Sequence, residues 1–352
     1  MKEVLVTGAN GHLGLALVQR LKERGYAVRA SVRDSSAPEK TRHLRNLGVT
    51  IVQADVLHEQ ELDAAVAGVD VVFHVAAVHT LAVTDALERV YRPIVAGTTN
   101  VLRACKRHGV GKIVLTSSAA AVGTSLPGEP PLDENSWNQQ TTDPYLRAKI
   151  DAEKFSWTYA AEHRLELVAV LPAAIIGPGF YRHTPTTRLF EDVVRGKVPF
   201  VLPMSLSLVD VRDVADAHIL AAENPRAAGR YIVSNRFLTL RELLQMLHEL
   251  DPEIAMPRVT IPKFFLGAFP WLDWLRSSLV AGPRLLNRHV VRDYGYREPR
   301  FINTRAVSEL GWQPRPIEDS LRDTLSWVRS VFLQDQRATP ASRTDTEEMG
   351  RK

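Results

Sequence analysis

The sequence predicts an α/β fold, a doubly wound parallel sheet with a smaller, irregular C-terminal lobe, and three observations predict it. Strand-length apolar runs alternate with helical patterns from residue 4 to residue 171, the order of a parallel sheet with helices on both faces. The first run, Val4-Leu5-Val6, leads into Thr7-Gly8-Ala9-Asn10-Gly11-His12-Leu13-Gly14, whose spaced glycines suit a strand that turns sharply into a helix. Val69-Asp70-Val71-Val72-Phe73 is apolar almost throughout, as a strand buried on both faces is.

Taken in order, the strands are expected at Val4–Thr7, Ala27–Val32, Thr50–Ala54, Val69–Val75, Lys112–Thr116 and Leu165–Leu171. Between them the helical patterns run over Leu13–Arg24, Glu39–Leu47, Glu59–Val66, Thr84–Arg107 and Tyr145–Glu162. The last of these has Asp143 as a cap and Pro144 at the first helical position. After Leu171 the alternation breaks, and residues 173–205 and 236–300 are rich in Pro, aromatics and Arg. Leu206–Ser234 reads as a helix and a strand returning to the first domain. The expected division is a dinucleotide-binding domain of residues 1–172 plus 206–235, a substrate-binding lobe of 173–205 plus 236–332, and a polar, disordered tail over 333–352.

Composition narrows the function. The net charge is +4 with Arg spread along the chain, which argues for a generally basic surface and against a nucleic-acid patch. The single cysteine, Cys105, excludes an internal disulfide and fits a reducing, cytoplasmic compartment. It shares a helical pattern with Val101 and Leu102, so it is expected in the core and not as a nucleophile. The eleven His show no metal-ligand spacing, and no metal is expected. Met1-Lys2-Glu3 runs directly into the first strand, so no secretory leader is expected. No apolar stretch reaches the ~18 residues of a membrane span. The segment 261–286, with Phe264, Phe265, Phe269, Trp271 and Trp274, reads first as a lid over an apolar substrate and second as a surface for peripheral membrane contact.

The chemistry gathers at the expected strand ends. The turn carrying Gly8, Asn10, Gly11, His12, Leu13 and Gly14 suits a coenzyme diphosphate: glycines let the backbone approach the anion, and the following helix points its N–H groups at it. This is the opening of a Rossmann sheet. Arg33 stands at the tip of the second strand and Lys40 one helical turn into the next segment. Cations there suit a 2′-phosphate, so NADP(H) is expected ahead of NAD(H), although a shift of one residue would put the Asp34 carboxylate at the tip. Asp55 follows the third strand, where it could meet the adenine amino group or simply cap a helix. His74-Val75-Ala76-Ala77 closes the fourth strand with residues small enough for a cofactor to lie on.

Tyr145 and Lys149 stand i and i+4 on one helix face. A phenol titrates near ~10, and a neighbouring ammonium together with a positive nicotinamide ring would draw it down toward proton exchange with a carbonyl. Thr116-Ser117-Ser118 ends the fifth strand at the carboxyl edge, where open α/β sheets bind ligands. Ser118 is the expected hydrogen-bond donor to the substrate oxygen, with Thr116 and Ser117 nearer the cofactor.

Together Thr7-Gly8-x-x-Gly11-x-x-Gly14, Asp55, His74-x-Ala76-Ala77, Ser117-Ser118 and Tyr145-x-x-x-Lys149 resemble the extended short-chain dehydrogenase/reductases. Within them the chain looks most like the dihydroflavonol 4-reductase and cinnamoyl-CoA reductase branch, through Val32-Arg33-Asp34, Arg92–Gly97, Leu171–Pro178 and Val209–His218. The resemblance implies that Arg33 and Lys40 hold the NADP phosphate, that Val56, Val75, Ala76, Ala77 and Thr116 line the coenzyme, and that Pro172 lies beside the nicotinamide. It also implies catalysis by Ser118, Tyr145 and Lys149. Departures bear on the substrate. Ile94 stands where many sugar-nucleotide epimerases carry Asn, and Ala119–Gly123 lacks their Tyr-Gly pair. Segments 124–142 and 179–205 do not match the plant flavonoid enzymes closely. The expectation is therefore an NADPH-dependent reductase of an apolar ketone or aldehyde (aromatic, terpenoid or steroid-like), working as a monomer or homodimer. The alternatives are a sugar-nucleotide epimerase or dehydratase with tightly bound NAD, and a non-catalytic dinucleotide sensor, against which Tyr145 and Lys149 count.

Overall fold

The structure, a computed structural model, describes residues 2–77, 85–267 and 291–333. Its first half alternates strand and helix: β1 (Glu3–Thr7), α1 (His12–Glu23), β2 (Ala27–Val32), α2 (Pro38–Asn46), β3 (Thr50–Gln53), α3 (Glu59–Val66), β4 (Val71–His74), α4 (Arg92–His108), β5 (Lys112–Thr116), α5 (Pro144–His163) and β6 (Leu167–Pro172). There follow β7 (Ala174–Ile176), α6 (Pro185–Val194), β8 (Phe200–Val201), β9 (Ser205–Asp210), α7 (Val211–Glu223), β10 (Gly229–Val233), β11 (Arg236–Thr239), α8 (Leu240–Leu250) and β12 (Val259–Thr260). Helices α9 (Thr304–Leu310) and α10 (Ile317–Val328) close the described chain.

Seven strands form one parallel sheet in the order β10-β6-β5-β4-β1-β2-β3. The chain turns back between β1 and β4, and at such a reversal the strand ends leave a crevice. Period-two alternation sends successive side chains to opposite faces. Val4, Val6, Phe73, Val114 and Val168 meet Leu17 and Leu21 of α1 and Val214 of α7 on one face. Leu5, Val72, Ile113, Leu115 and Ala169 meet Leu62 of α3 and Val101, Leu102 and Cys105 of α4 on the other. Cys105 is fully buried there, and burial pushes its thiol up to about 12, which leaves it unreactive.

The C-terminal segments are more regular than their Pro and aromatic content suggests. Thr184 with Thr187, and Thr239 with Glu242, form capping boxes that start α6 and α8. The stretch from Leu206, expected as helix then strand, begins instead as a strand: Ser205–Asp210 pairs with β7 and β11 in a small three-stranded sheet. Asp210 then caps α7 through the Arg212 amide at 2.8 Å, and only β10 rejoins the large sheet beside β6. A separate apolar cluster joins Phe180, Phe190, Leu208, Leu243, Leu321 and Leu325. The helix expected over Thr84–Arg107 is regular only from Arg92, with a wider π-type turn at Leu87–Tyr91 before it. Residues 268–286 of the expected lid or docking segment, and the tail from residue 334, lie outside the described residues.

Candidate active site

The turn after β1 is closed by the Gly11 amide on the Gly8 carbonyl at 3.0 Å. Gly8 has φ +66°, and a Cβ there would stand 2.8 Å from the Ala76 Cα. A Cβ on Gly14 would stand 2.2 Å from the Gly8 oxygen. Helix α1 starts at Gly11 with no side-chain cap and no acid in its first turn, so its leading amides remain for an anion. A tight turn packed this closely on the main chain, together with uncapped amides, fits a dinucleotide diphosphate. Gly14→Ala meets main-chain atoms that no rotamer relieves, at a cost of about 1–3 kcal/mol. Fluorescence titration is expected to show NADPH binding weakened at least about tenfold; unchanged binding would remove the turn from the coenzyme site.

Thr7 ties this turn to β4. Its hydroxyl accepts from the Val75 and Ala76 amides, both at 3.1 Å, which leaves its own proton for Nδ1 of His74 at 2.9 Å. His74 then donates from Nε2 to Thr98 at 3.1 Å, and burial holds it neutral, down to about 3. At the tip of β2, Arg33 is exposed. Asp34 is turned onto Ser36 and onto the Lys40 ammonium at 3.2 Å, and these partners hold its carboxyl below the usual range. Asp55 accepts from the Leu57 amide at 3.0 Å in a local turn and does not cap α3, whose N-cap is His58 with no side-chain hydrogen bond. Val56 packs under α4, where a Cβ on Gly97 would come within 2.6 Å of it. Pro172 is buried at the end of β6, opposite Val233. His12 faces away from the turn: its Nε2 donates to the Pro178 carbonyl at 3.0 Å, its ring meets Phe180 edge-on, and burial brings it down to about 4.

Helix α5 places Tyr145, Lys149 and Glu153 on successive turns of one face. Asp143 caps it through the Tyr145 and Leu146 amides at 2.9 and 3.1 Å. Lys149 is only 7 % exposed and donates to the Thr116 carbonyl at 2.9 Å. Burial lowers its pKa to about 8 against the opposing pull of Glu153. Thr116 is itself held by His218, whose Nδ1 donates to the Val214 carbonyl and whose Nε2 accepts the Thr116 proton at 2.7 Å. Ser118 accepts the Ala120 amide at 3.1 Å and keeps its O–H to donate. Ser117, expected nearer the cofactor, gives its proton to buried Glu153 at 2.5 Å, and Arg230 pairs with Glu153 at 2.7 Å.

The Tyr145 phenol departs from expectation. Burial first, and the Asp143 carboxylate second, push it above its usual value.

Sequence reasoning missed Glu153, Arg230 and His218, and also Asp293. Glu153 continues the i, i+4 stripe of Tyr145 and Lys149, a signal that was there to use. Asp293 has none: its carboxylate accepts from the Thr141 hydroxyl at 2.7 Å, a meeting of residues 152 positions apart.

Three comparisons bear on this arrangement. A family model described as the NAD dependent epimerase/dehydratase family matches residues 4–235. The chain is 37 % identical over 271 residues to a dihydroflavonol 4-reductase of Zea mays, covering 72 % of this chain and 76 % of that one. It is 32 % identical over 334 residues to a putative dihydroflavonol 4-reductase of a Synechocystis species, covering 92 % and 94 %. The crystal structure of gox2253 superposes with a TM-score of 0.81 at 30 % identity, over 94 % of this chain and 98 % of the other.

Proposed function

Because the chain belongs to the NAD dependent epimerase/dehydratase family, we propose that it is an NADPH-dependent reductase that interconverts a ketone or aldehyde and its alcohol on an apolar small molecule. The observation that supports this reading is the Lys149 ammonium on the Thr116 carbonyl at the carboxyl edge of β5, with Tyr145 one turn earlier on α5 and Ser118 two residues beyond Thr116. The reductase names of the relatives agree with it.

Gly8, Asn10, Gly11, His12, Leu13 and Gly14 would hold the diphosphate, the last four through backbone. Arg33 and Lys40 would take the 2′-phosphate, Asp55 and Val56 the adenine side, and Val75, Ala76, Ala77 and Pro172 the path toward the nicotinamide. Thr116, Tyr145 and Lys149 would stand at its ribose. When bound, the dihydronicotinamide supplies the hydride that reaches the carbonyl carbon.

The chain's own part is proton management. Ser118 donates a hydrogen bond to the carbonyl oxygen and fixes its position. Tyr145, kept protonated by burial and by Asp143, gives its proton to that oxygen as the alkoxide forms. The Lys149 ammonium lowers the cost of the phenolate left behind, and the Thr116 carbonyl keeps it in place. In the oxidative direction the phenolate takes the proton back.

Turnover of NADPH and NADH across aromatic, terpenoid and steroid ketones tests the proposal. Arg33→Ala is expected to raise the KM for NADPH about tenfold, the loss of one charge-assisted phosphate contact, while sparing NADH. A purified protein that carries its own nicotinamide absorbance and ignores added ketones would favour an epimerase or dehydratase instead.

A further inference from the structure

We propose that Glu153 is a positioning residue for the reaction: from the turn of α5 after Lys149 it grips the Thr116–Ser117 peptide at the end of β5, and so fixes the Lys149 ammonium and Ser118 against each other. This rests on the reading of Tyr145 as proton donor and Lys149 as its support.

Several bonds converge on that one peptide unit. Lys149 donates to the Thr116 carbonyl, and one helical turn later Glu153 takes the hydroxyl proton of Ser117. The Ser117 amide donates to the Val170 carbonyl of β6 at 2.9 Å, and the Thr116 hydroxyl donates to His218 of α7. Lys149 and Glu153 thus hold the strand end from the helix that carries Tyr145. Ser118 is the next residue along the chain. A slip of α5 along β5 would break the Glu153 bond and change the spacing of Tyr145 and Ser118 in the same movement.

Glu153 is fixed from its other side. The Arg230 Nε and the Trp157 indole donate to its Oε1 at 2.7 and 3.2 Å. Its Oε2 takes the Ser117 proton at 2.5 Å, with a longer bond from Arg230 at 3.4 Å. Arg230 comes from β10, on the far side of β6 from β5.

The carboxylate also stands by the Lys149 charge. Lys149 and Glu153 line one small cavity with Ser117, Thr98 and His74. The titratable groups around Lys149 are Tyr145 and Glu153 on α5, His74 at the end of β4 and His218 on α7. Burial keeps both histidines neutral, so the Glu153 carboxylate is what supports the ammonium against its own burial.

The test measures kcat between about pH 6 and 10, the KM for NADPH and urea unfolding in the wild-type protein, Ser117→Ala and Glu153→Gln. Ser117→Ala removes the anchor and leaves the carboxylate paired with Arg230. Its kcat is expected to fall about tenfold, the size of one hydrogen bond to a charged group, with the KM for NADPH and the alkaline limb in place. Glu153→Gln removes the charge, and its alkaline limb is expected about one pH unit lower. If the unpaired Arg230 prevents that variant from folding, Glu153→Gln with Arg230→Met carries the same measurement. A role confined to stability would move the urea midpoint alone. Wild-type kcat in Ser117→Ala, or an unmoved limb once the carboxylate is gone, overturns the inference and leaves the reductase reading standing. Wild-type protein inert toward every ketone, or Tyr145→Phe as active as wild type, overturns both.

Discussion

Replacing Tyr145 with Phe is expected to slow ketone reduction by on the order of 10²–10⁴-fold, the usual contribution of a positioned proton donor. Coenzyme binding should change far less, because the glycine turn that meets the diphosphate lies on β1 and α1. The substitution removes one oxygen and leaves the Asp143 cap on its backbone amide intact. The pH dependence follows from the next residue on the stripe. Lys149 is brought down to about 8 by burial, so its ammonium is present below that pH and is lost as the pH rises through it. His74 and His218, the histidines that feel its charge, are down at about 3 and 4 and stay neutral throughout, while Glu153 opposes the loss. Reduction is therefore expected to fall above about pH 8, since a neutral amine no longer supports the phenolate. Lys149→Arg, whose charge persists, should flatten that alkaline limb in a kcat profile between about pH 6 and 10. A Tyr145→Phe protein with near-wild-type kcat would end the assignment.

Arg230→Met is expected to destabilise the fold by about 3–5 kcal/mol, the size seen when one partner of a buried ion pair is removed. Glu153 is 1 % exposed and would be left, among the described residues, with hydrogen bonds from the Ser117 hydroxyl and the Trp157 indole alone. Arg230 also donates to the Glu134 and Ser136 carbonyls at 2.7 Å and lies 3.8 Å over the Trp137 ring. Its loss should therefore loosen the loop that runs from Ser118 to the catalytic helix. The double variant Arg230→Met with Glu153→Leu should recover much of the stability, because no charge is left buried and unpaired. Urea unfolding of the three proteins decides it; a single variant within about 1 kcal/mol of wild type would mean that the pair is not what holds this face.

Much of this was legible because it is local. The strand β1 with its glycine turn, and the parallel strands through β6, are written in runs of a few residues. The observed bounds fall within about two residues of those read from periodicity. The face shared by Tyr145 and Lys149 needs only the helical repeat. By contrast, the stretch from Leu206 is expected to open with a helix, and its pairing with β7 and β11 makes Ser205–Asp210 a strand. Ser117 stands beside Ser118 in sequence, yet one turns to a buried glutamate and the other caps a turn with its proton to spare.

The sequence by itself determined the parallel α/β architecture, the glycine turn and the Tyr145–Lys149 stripe, because hydrophobic period, turn chemistry and helical spacing act between near neighbours. Only the tertiary structure decided that the phenol is raised and not lowered, that Lys149 is held on the Thr116 carbonyl, and that Asp293 arrives from the far end of the chain. Burial and long-range partners set those properties, and neither exists until the chain has packed.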